Sequence, residues 1–366
     1  MNRLLVTVDS LRLDHYEVME HTRAFLGPSH QRAFSTATAT LGAFPTMMTG
    51  RYDAQHSINP SESWVTEIDD PCFGATANRL TAGRYGYDGG FDTFQSPISR
   101  GEESLKDRIA SYVPTGFPYR VASKLWSAWQ QYTPSPTQKS FRPACDLIDD
   151  FLQWEREYSD WFAWLHLMEP HHPYDPDGST LSRAQAQALS REAIASNDPE
   201  QPEQVRDLYM TEVRETDQQL SRLWDTIPEE TQVIFAADHG ELLGEDDVWG
   251  HPGQMFHSDI IRIPFCTRNV SVTGDVVSFI DIPALFFQQD WRESSCARDV
   301  AFASMNGMKC AFNSTHMITE GKCRTLDGEP ASPPSKLKRK FNSFEPSTIT
   351  KQDAVAEDLQ ALGYLE

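Results

Sequence analysis

The chain has 366 residues, enough to bury a large core, and 39% of them are hydrophobic, including 20 Phe, 11 Tyr and 9 Trp. Only 32 Lys and Arg stand against 53 Asp and Glu, a formal net charge of -21, so nucleic acid and anionic membrane, which this surface repels, are excluded as main partners. The acids are spread from end to end without a long block, which fits a solvated, salt-adapted surface better than an acidic patch for one partner.

LLVTVD, residues 4–9, reads as a buried parallel strand, short, β-branched and ending in an acid. STATATLGAFPTMMTGRY, residues 35–52, passes from small β-branched residues into an apolar run that reads as a strand-to-helix turn, with Thr40 near the helix N-terminus. Residues 101–143 read as an aromatic-rich insertion in which 117–132 forms an amphipathic helix, either a lid or a helix packed on the core. WFAWLHL (161–167) is a second strand, followed at 166–176 by HLMEPHHPYDP, a loop with three His and flanking Pro.

Residues 175–204 read as a polar surface excursion, partly helical, and 205–227 as a helix with Val205, Leu208, Tyr209, Val213, Leu220, Leu223 and Trp224 on one face. TQVIFAAD (231–238) and IPFCTR (263–268) complete the strands of the same type. Strands alternating with helices imply a mostly parallel α/β sheet covered on both faces. From about 291 the texture changes to short alternating runs, expected as a small antiparallel sheet, then a mobile linker near 331–347 holding the basic cluster KLKRK, then a terminal helix.

The six cysteines show no C-x-x-C pair, and MNRLLVTVDS enters a strand without a leader or cleavage site, which argues for a cytoplasmic, reducing location. No apolar run approaches the length of a membrane span.

Ligands of open α/β sheets collect beyond the carboxyl ends of the strands, which places Asp9, His166 and Asp238 along one edge. An acid at a strand end is by itself a turn residue or helix cap, and a Thr at a helix start is by itself a cap. Asp238 followed by His239 is stronger, because two hard carboxylates with one imidazole suit Mn²⁺, Mg²⁺, Ca²⁺ or Zn²⁺. A metal ligated by Asp9, Asp238 and His239 would lower the hydroxyl pKa of Thr40 and motivate it as nucleophile. The His loop suits an anion or a leaving oxygen, and His251 and His257 lie just beyond the Asp-His segment.

These segments together resemble the sulfatases of the alkaline phosphatase superfamily. LLVTVDSLRLDHY is similar to the first strand of that family, AADHGELLGEDDVWGH to its late Asp-His metal segment and the basic residue after it, and HLMEPHHPY to a substrate-side His loop. TMMTGRYDAQHSI is similar to the helix after the nucleophile, VSFIDIPALF to a helix near the end of the main domain, and DLQALGYLE to the tail of many members.

The resemblance implies an alkaline phosphatase-like catalytic domain over 1–290, with a small α+β subdomain over 291–366. It implies one divalent metal on Asp9, Asp238, His239 and Thr40, with no second metal. It assigns Thr40 as nucleophile, His171, His166 and His251 to leaving-group and anion chemistry, and His172, His257 and Arg51 to the substrate side. Sulfatases proper carry Cys or Ser in C-x-P-S-R where this chain reads T-L-G-A-F, so formylglycine is excluded and Phe44 stands where that motif has Arg.

Thr at this position is similar to the phosphodiesterase, phosphonate hydrolase and phosphoryl-group-transferring branches. The expected function is a metal-dependent hydrolase of sulfate or phosphate esters acting through a covalent Thr40 intermediate. The alternatives are transfer of a phosphoryl-linked group to a glycan or lipid, and a degenerate member that binds an anion without turnover. The substrate is expected to be a small anionic ester, glycan or lipid; the oligomeric state stays open.

Overall fold

The computed structural model describes residues 1–97, 139–253, 255–346 and 358. The expected 117–132 helix, most of the first insertion and all of the terminal helix except Asp358 lie outside the described residues.

The central sheet contains β1 (Arg3–Val8), β2 (Cys72–Thr76), β3 (Thr93–Gln95), β4 (Phe162–Leu167), β5 (Gln232–Ala237) and β6 (Phe265–Arg268), in spatial order β3-β2-β4-β1-β5-β6. β1 to β5 run parallel, and every residue from Leu4 to Val8 is buried, as a strand covered on both faces requires. The IPFCTR run is a strand, but the expectation that it continues the parallel set is corrected: β6 pairs antiparallel with β5 at the sheet edge. β2 was not legible, because CFGAT is short and contains a glycine. Gly74 admits the Phe94 ring of the neighbouring strand, since a Cβ there would lie 2.5 Å from it.

Alternation along β4 sends Phe162, Trp164 and His166 to one face. Phe44 of α2 (Thr40–Thr49) packs on Trp164 and His166 there, and Phe286 of a later helix (Ile282–Phe287) packs on Phe162. Phe73, opposite Ala163, faces the other way and meets Phe151 and Trp154 of α3 (Ala144–Trp154). All ten residues of α2 are buried, so its sequence shows no polar face.

The 175–204 segment is not only a surface excursion. It contains α4 (Arg183–Ser196), which starts in a Ser182–Gln185 capping box and buries Ala186, Gln187, Ser190 and Ala193. Helix α5 (Pro202–Trp224) begins with Pro at its first position, buries the apolar stripe read from sequence, and packs against α3, α4 and α1 (Glu20–Leu26).

Four antiparallel strands follow in chain order: β7 (Ala301–Met305), β8 (Met308–Phe312), β9 (His316–Thr319) and β10 (Lys322–Thr325). One face packs Ala301, Ala303, Cys310 and Phe312 onto Phe34, Ile261 and Val276. The other packs Ala311 and Ile318 under Leu337 and Phe341. This corrects the expected mobile linker near 331–347: residues Ser335–Ser343 form a helix whose Leu337 and Phe341, four residues apart, anchor one face while the KLKRK cations stay outward.

Register builds the site. Thr7 lies opposite His166, Thr76 opposite His166, and Val8 opposite Ala237, so the residues just past these strands emerge at one edge.

Candidate active site

Asp9 leaves β1, Asp238 and His239 leave β5, and Thr40 opens α2; all four are buried. The Thr40 hydroxyl lies 2.8 Å from Asp238 Oδ2, 3.2 Å from Asp9 Oδ2 and 3.4 Å from His239 Nε2. Ala39 takes the cap position in extended conformation without a side-chain cap bond, which leaves the Thr40 side chain to the carboxylates. Ser10, at φ 58°, bends the chain sharply after Asp9 and turns its N–H toward Asp238 Oδ1 at 3.2 Å.

One ligand atom each from Asp9, Asp238 and His239 lies within 4.8 Å of the others, with the Thr40 hydroxyl against all three. Hard carboxylate oxygens, a hydroxyl and one imidazole are the donor set of a divalent cation, and the residues fit one. Burial favours the neutral form of both aspartates. The imidazoles of His171, His166 and His239 nevertheless pull Asp9 well below the usual carboxylate range, while the Asp9 charge helps push Asp238 well above it. Two carboxylates so opposed gain from a shared cation.

The imidazoles crowd round this pair. His166 Nε2 is 3.4 Å from Asp9 Oδ2, and its Nδ1 lies 3.1 Å from Thr7 Oγ1. His171 Nε2 stands 4.0 Å from Asp9 Oδ1. His171 stacks on His172 at 4.6 Å between centroids, and His251 lies 4.3 Å from His239 and 5.4 Å from His171. Burial, then neighbouring imidazoles, hold His172 and His251 well below the ordinary histidine range, so both stay neutral at physiological pH.

Thr40, Asp9, Asp238, His239, His166, His171, His172 and His251 thus meet as the sequence reading required. Arg51 and His257 do not join them. Arg51 is half exposed and forms a two-pronged pair with Asp53, while His257 caps the short 258–261 helix by accepting from Asp259 N–H. Their expected substrate contacts are not among the contacts of this cluster.

Phe44 fills the place of the absent Arg with an aromatic wall, fully buried and 4.5 Å edge-on from His166. The sequence reading also missed three supports. Asn78 Nδ2 donates to Asp9 Oδ2 at 2.8 Å, Ser10 Oγ donates to Asp9 Oδ1 at 2.9 Å, and Glu241 Oε1 lies 2.9 Å from His251 Nδ1. Glu241 was visible in DHGE; Asn78 follows the strand that went unread.

No curated protein matches the chain in sequence. Among solved structures, the lipoteichoic acid synthase LtaP from Listeria monocytogenes is similar over 100% of this chain and 92% of its own, with TM-score 0.59 and 13% identity. The phosphonate monoester hydrolase SpPMH from Silicibacter pomeroyi covers 99% of this chain and 93% of its own, at TM-score 0.55 and 16% identity. The periplasmic domain of the phosphoethanolamine transferase EptC from Campylobacter jejuni covers 82% and 92%, at TM-score 0.52 and 15% identity. These likenesses fix an alkaline phosphatase-like fold, and the Sulfatase family model matches residues 2–268, which include Asp9 and Asp238. The chain belongs to the Sulfatase family.

Proposed function

We propose that the protein is a metal-dependent hydrolase of phosphate or sulfate esters in which Thr40 is the nucleophile. The observation that carries this reading is the meeting of the Thr40 hydroxyl with Asp9, Asp238 and His239 at the start of a buried helix. When bound by Asp9, Asp238, His239 and Thr40, a divalent cation supplies charge neutralisation and a lowered hydroxyl pKa.

The chain's own groups do the rest. The N-terminal end of α2 favours an anionic ester above Thr40. Asp238 Oδ2 accepts the Thr40 hydroxyl hydrogen bond and orients Oγ1 for in-line attack. As the bond from Oγ1 to phosphorus or sulfur forms, the Thr40 hydroxyl proton passes to an imidazole, that of His171 or His251, the bond to the leaving oxygen breaks, and the imidazolium so formed delivers that proton to the leaving oxygen. The same imidazole then takes a proton from water, whose oxygen attacks the Thr40 ester, and returns it to Oγ1 as the bond from Oγ1 to phosphorus or sulfur breaks, releasing the acid product and restoring the hydroxyl. The buried, neutral imidazole of His251 suits this exchange, and Glu241 holds it in place.

The test strips the protein with chelator and refills it with Mn²⁺, Zn²⁺, Mg²⁺ or Ca²⁺ in high potassium chloride. Turnover is then measured on nitrophenyl phosphate, bis-nitrophenyl phosphate, a phenylphosphonate ester and nitrophenyl sulfate, beside Thr40→Ala. The reading expects metal-dependent turnover that the variant loses. Unchanged turnover in Thr40→Ala overturns it, product formed only with an acceptor alcohol favours group transfer, and metal binding without turnover favours an anion-binding protein.

A further inference from the structure

A second cleft, of about 510 Å³, opens between the 255–262 segment and the outer strands of the C-terminal sheet. Alternation along β10 turns Lys322 and Arg324 to the same side, facing Arg262 across the opening. None of these three cations forms an ion pair with any described residue. Arg262 donates to the carbonyls of Gln31 and Leu326 at 3.2 and 3.5 Å, with its buried Nε left without a hydrogen-bond partner, and Arg324 donates to the Gly328 carbonyl at 2.8 Å. Carbonyls hold the two guanidinium groups in place without neutralising their charge.

Charged residues on an exposed edge strand commonly do no more than block strand addition. That reading accounts for Lys322 and Arg324 but not for Arg262, which lies just before β6 of the central sheet and lines the same cleft. In a chain with 53 acids and 32 bases, three cations without an ion pair among the described residues on one concavity are a local reversal of the surface field, although Arg262 also borders an opening lined by Asp14, Glu17 and Asp259. The acids on its rim are Asp246 and Glu320, and Asp246 already faces His257 at 3.8 Å. Lys309 also borders the cleft but turns its ammonium away, over the Phe341 ring on the other face of the sheet. The floor is apolar and pliable, formed by Phe256, Phe312 and Met317.

We propose that this cleft binds an anionic amphiphile, its acidic head group held by Arg262, Lys322 and Arg324 and its alkyl portion laid on the Phe and Met floor. The site is separate from the metal cluster and binds whether or not Thr40 is a nucleophile. The alkyl chain supplies affinity by burial, and the cations select the acidic head.

The test titrates decyl phosphate, decyl maltoside and inorganic phosphate into metal-loaded wild type, Thr40→Ala and the double variant Lys322→Glu/Arg324→Glu, by calorimetry. The expected result is a decyl phosphate site present in wild type and Thr40→Ala and at least tenfold weaker in the double variant. Circular dichroism and the melting midpoint of that variant confirm its fold, and Lys322→Arg/Arg324→Lys keeps the affinity. Decyl maltoside binding as tightly, inorganic phosphate binding as tightly at this site, or an unchanged affinity in the charge-reversal variant each overturns the proposal. Loss of ester turnover in Thr40→Ala concerns the metal cluster alone and leaves this result to be read separately.

Discussion

Asn78 Nδ2 donates a 2.8 Å hydrogen bond to Asp9 Oδ2, while Asn78 Oδ1 accepts from the Leu80 N–H at 2.8 Å. One side chain thereby caps the short helix after β2 and holds the carboxylate of the candidate metal ligand Asp9, 69 residues away. Asn78→Ala is expected to weaken divalent-metal affinity about 10–100-fold, as loss of a ligand-orienting hydrogen bond does. Metal titration followed by calorimetry measures it; unchanged affinity would show that Asp9 needs no such support.

The Glu241–His251 pair gives a prediction about leaving groups. Nitrophenolate leaves without protonation, whereas an alkoxide does not. His251→Ala should therefore cost little on nitrophenyl esters and about 10²–10⁴-fold in kcat on alkyl esters, with Glu241→Gln between the two. Equal losses across both ester types would remove His251 from proton delivery.

Phe44 predicts the failure of an apparently restorative change. Its ring is buried and meets Trp164, His166 and Phe279 at 5.6, 4.5 and 5.4 Å. Phe44→Arg would place a guanidinium among these groups without a carboxylate made for it, and should destabilise by several kcal/mol without creating sulfatase activity. Phe44→Ala should cost about 3–5 kcal/mol. Urea denaturation of both variants measures these losses.

Beneath the His loop, burial and then the neighbouring Glu169 push the Glu212 carboxyl up to about 8. The folded chain keeps that proton where the unfolded chain, near its ordinary value of 4.5, has lost it. Stability from this group is therefore full below pH 4.5 and is lost as pH rises through about 8. Glu212→Gln retains an oxygen to accept from Asp175 N–H, which Glu212 Oε1 does at 2.7 Å. Its melting midpoint should match wild type near pH 5 and exceed it near pH 8.5. A gap of the same size at both pH values would contradict the linkage.

The central strands, the long helix α5 and the acid-ended β1 and β5 were legible because buried strands and one-sided helices leave periodic apolar runs. Thr40, Asp9, Asp238 and His239 were legible because strand ends in an open α/β sheet converge. β2 was hidden by its glycine, and Asn78 with it. The packed helix over 335–343 was mistaken for a linker because only Leu337 and Phe341 interrupt its charges. Arg51 and His257 stand near the site in sequence, but Asp53 already pairs with Arg51 and His257 caps the 258–261 helix by accepting from the Asp259 N–H. The cleft at Arg262 and Lys322 joins residues 60 positions apart, which no local pattern records.

The most direct test of Thr40 as nucleophile is to quench the metal-loaded protein during turnover of its best ester and map the modified peptide by mass spectrometry. The expected result is a phosphoryl or sulfuryl adduct on Thr40 that forms and decays at the rate of turnover and is absent in Thr40→Ala. Turnover persisting in Thr40→Ala, with no adduct on wild-type Thr40 at any quench time, would contradict it.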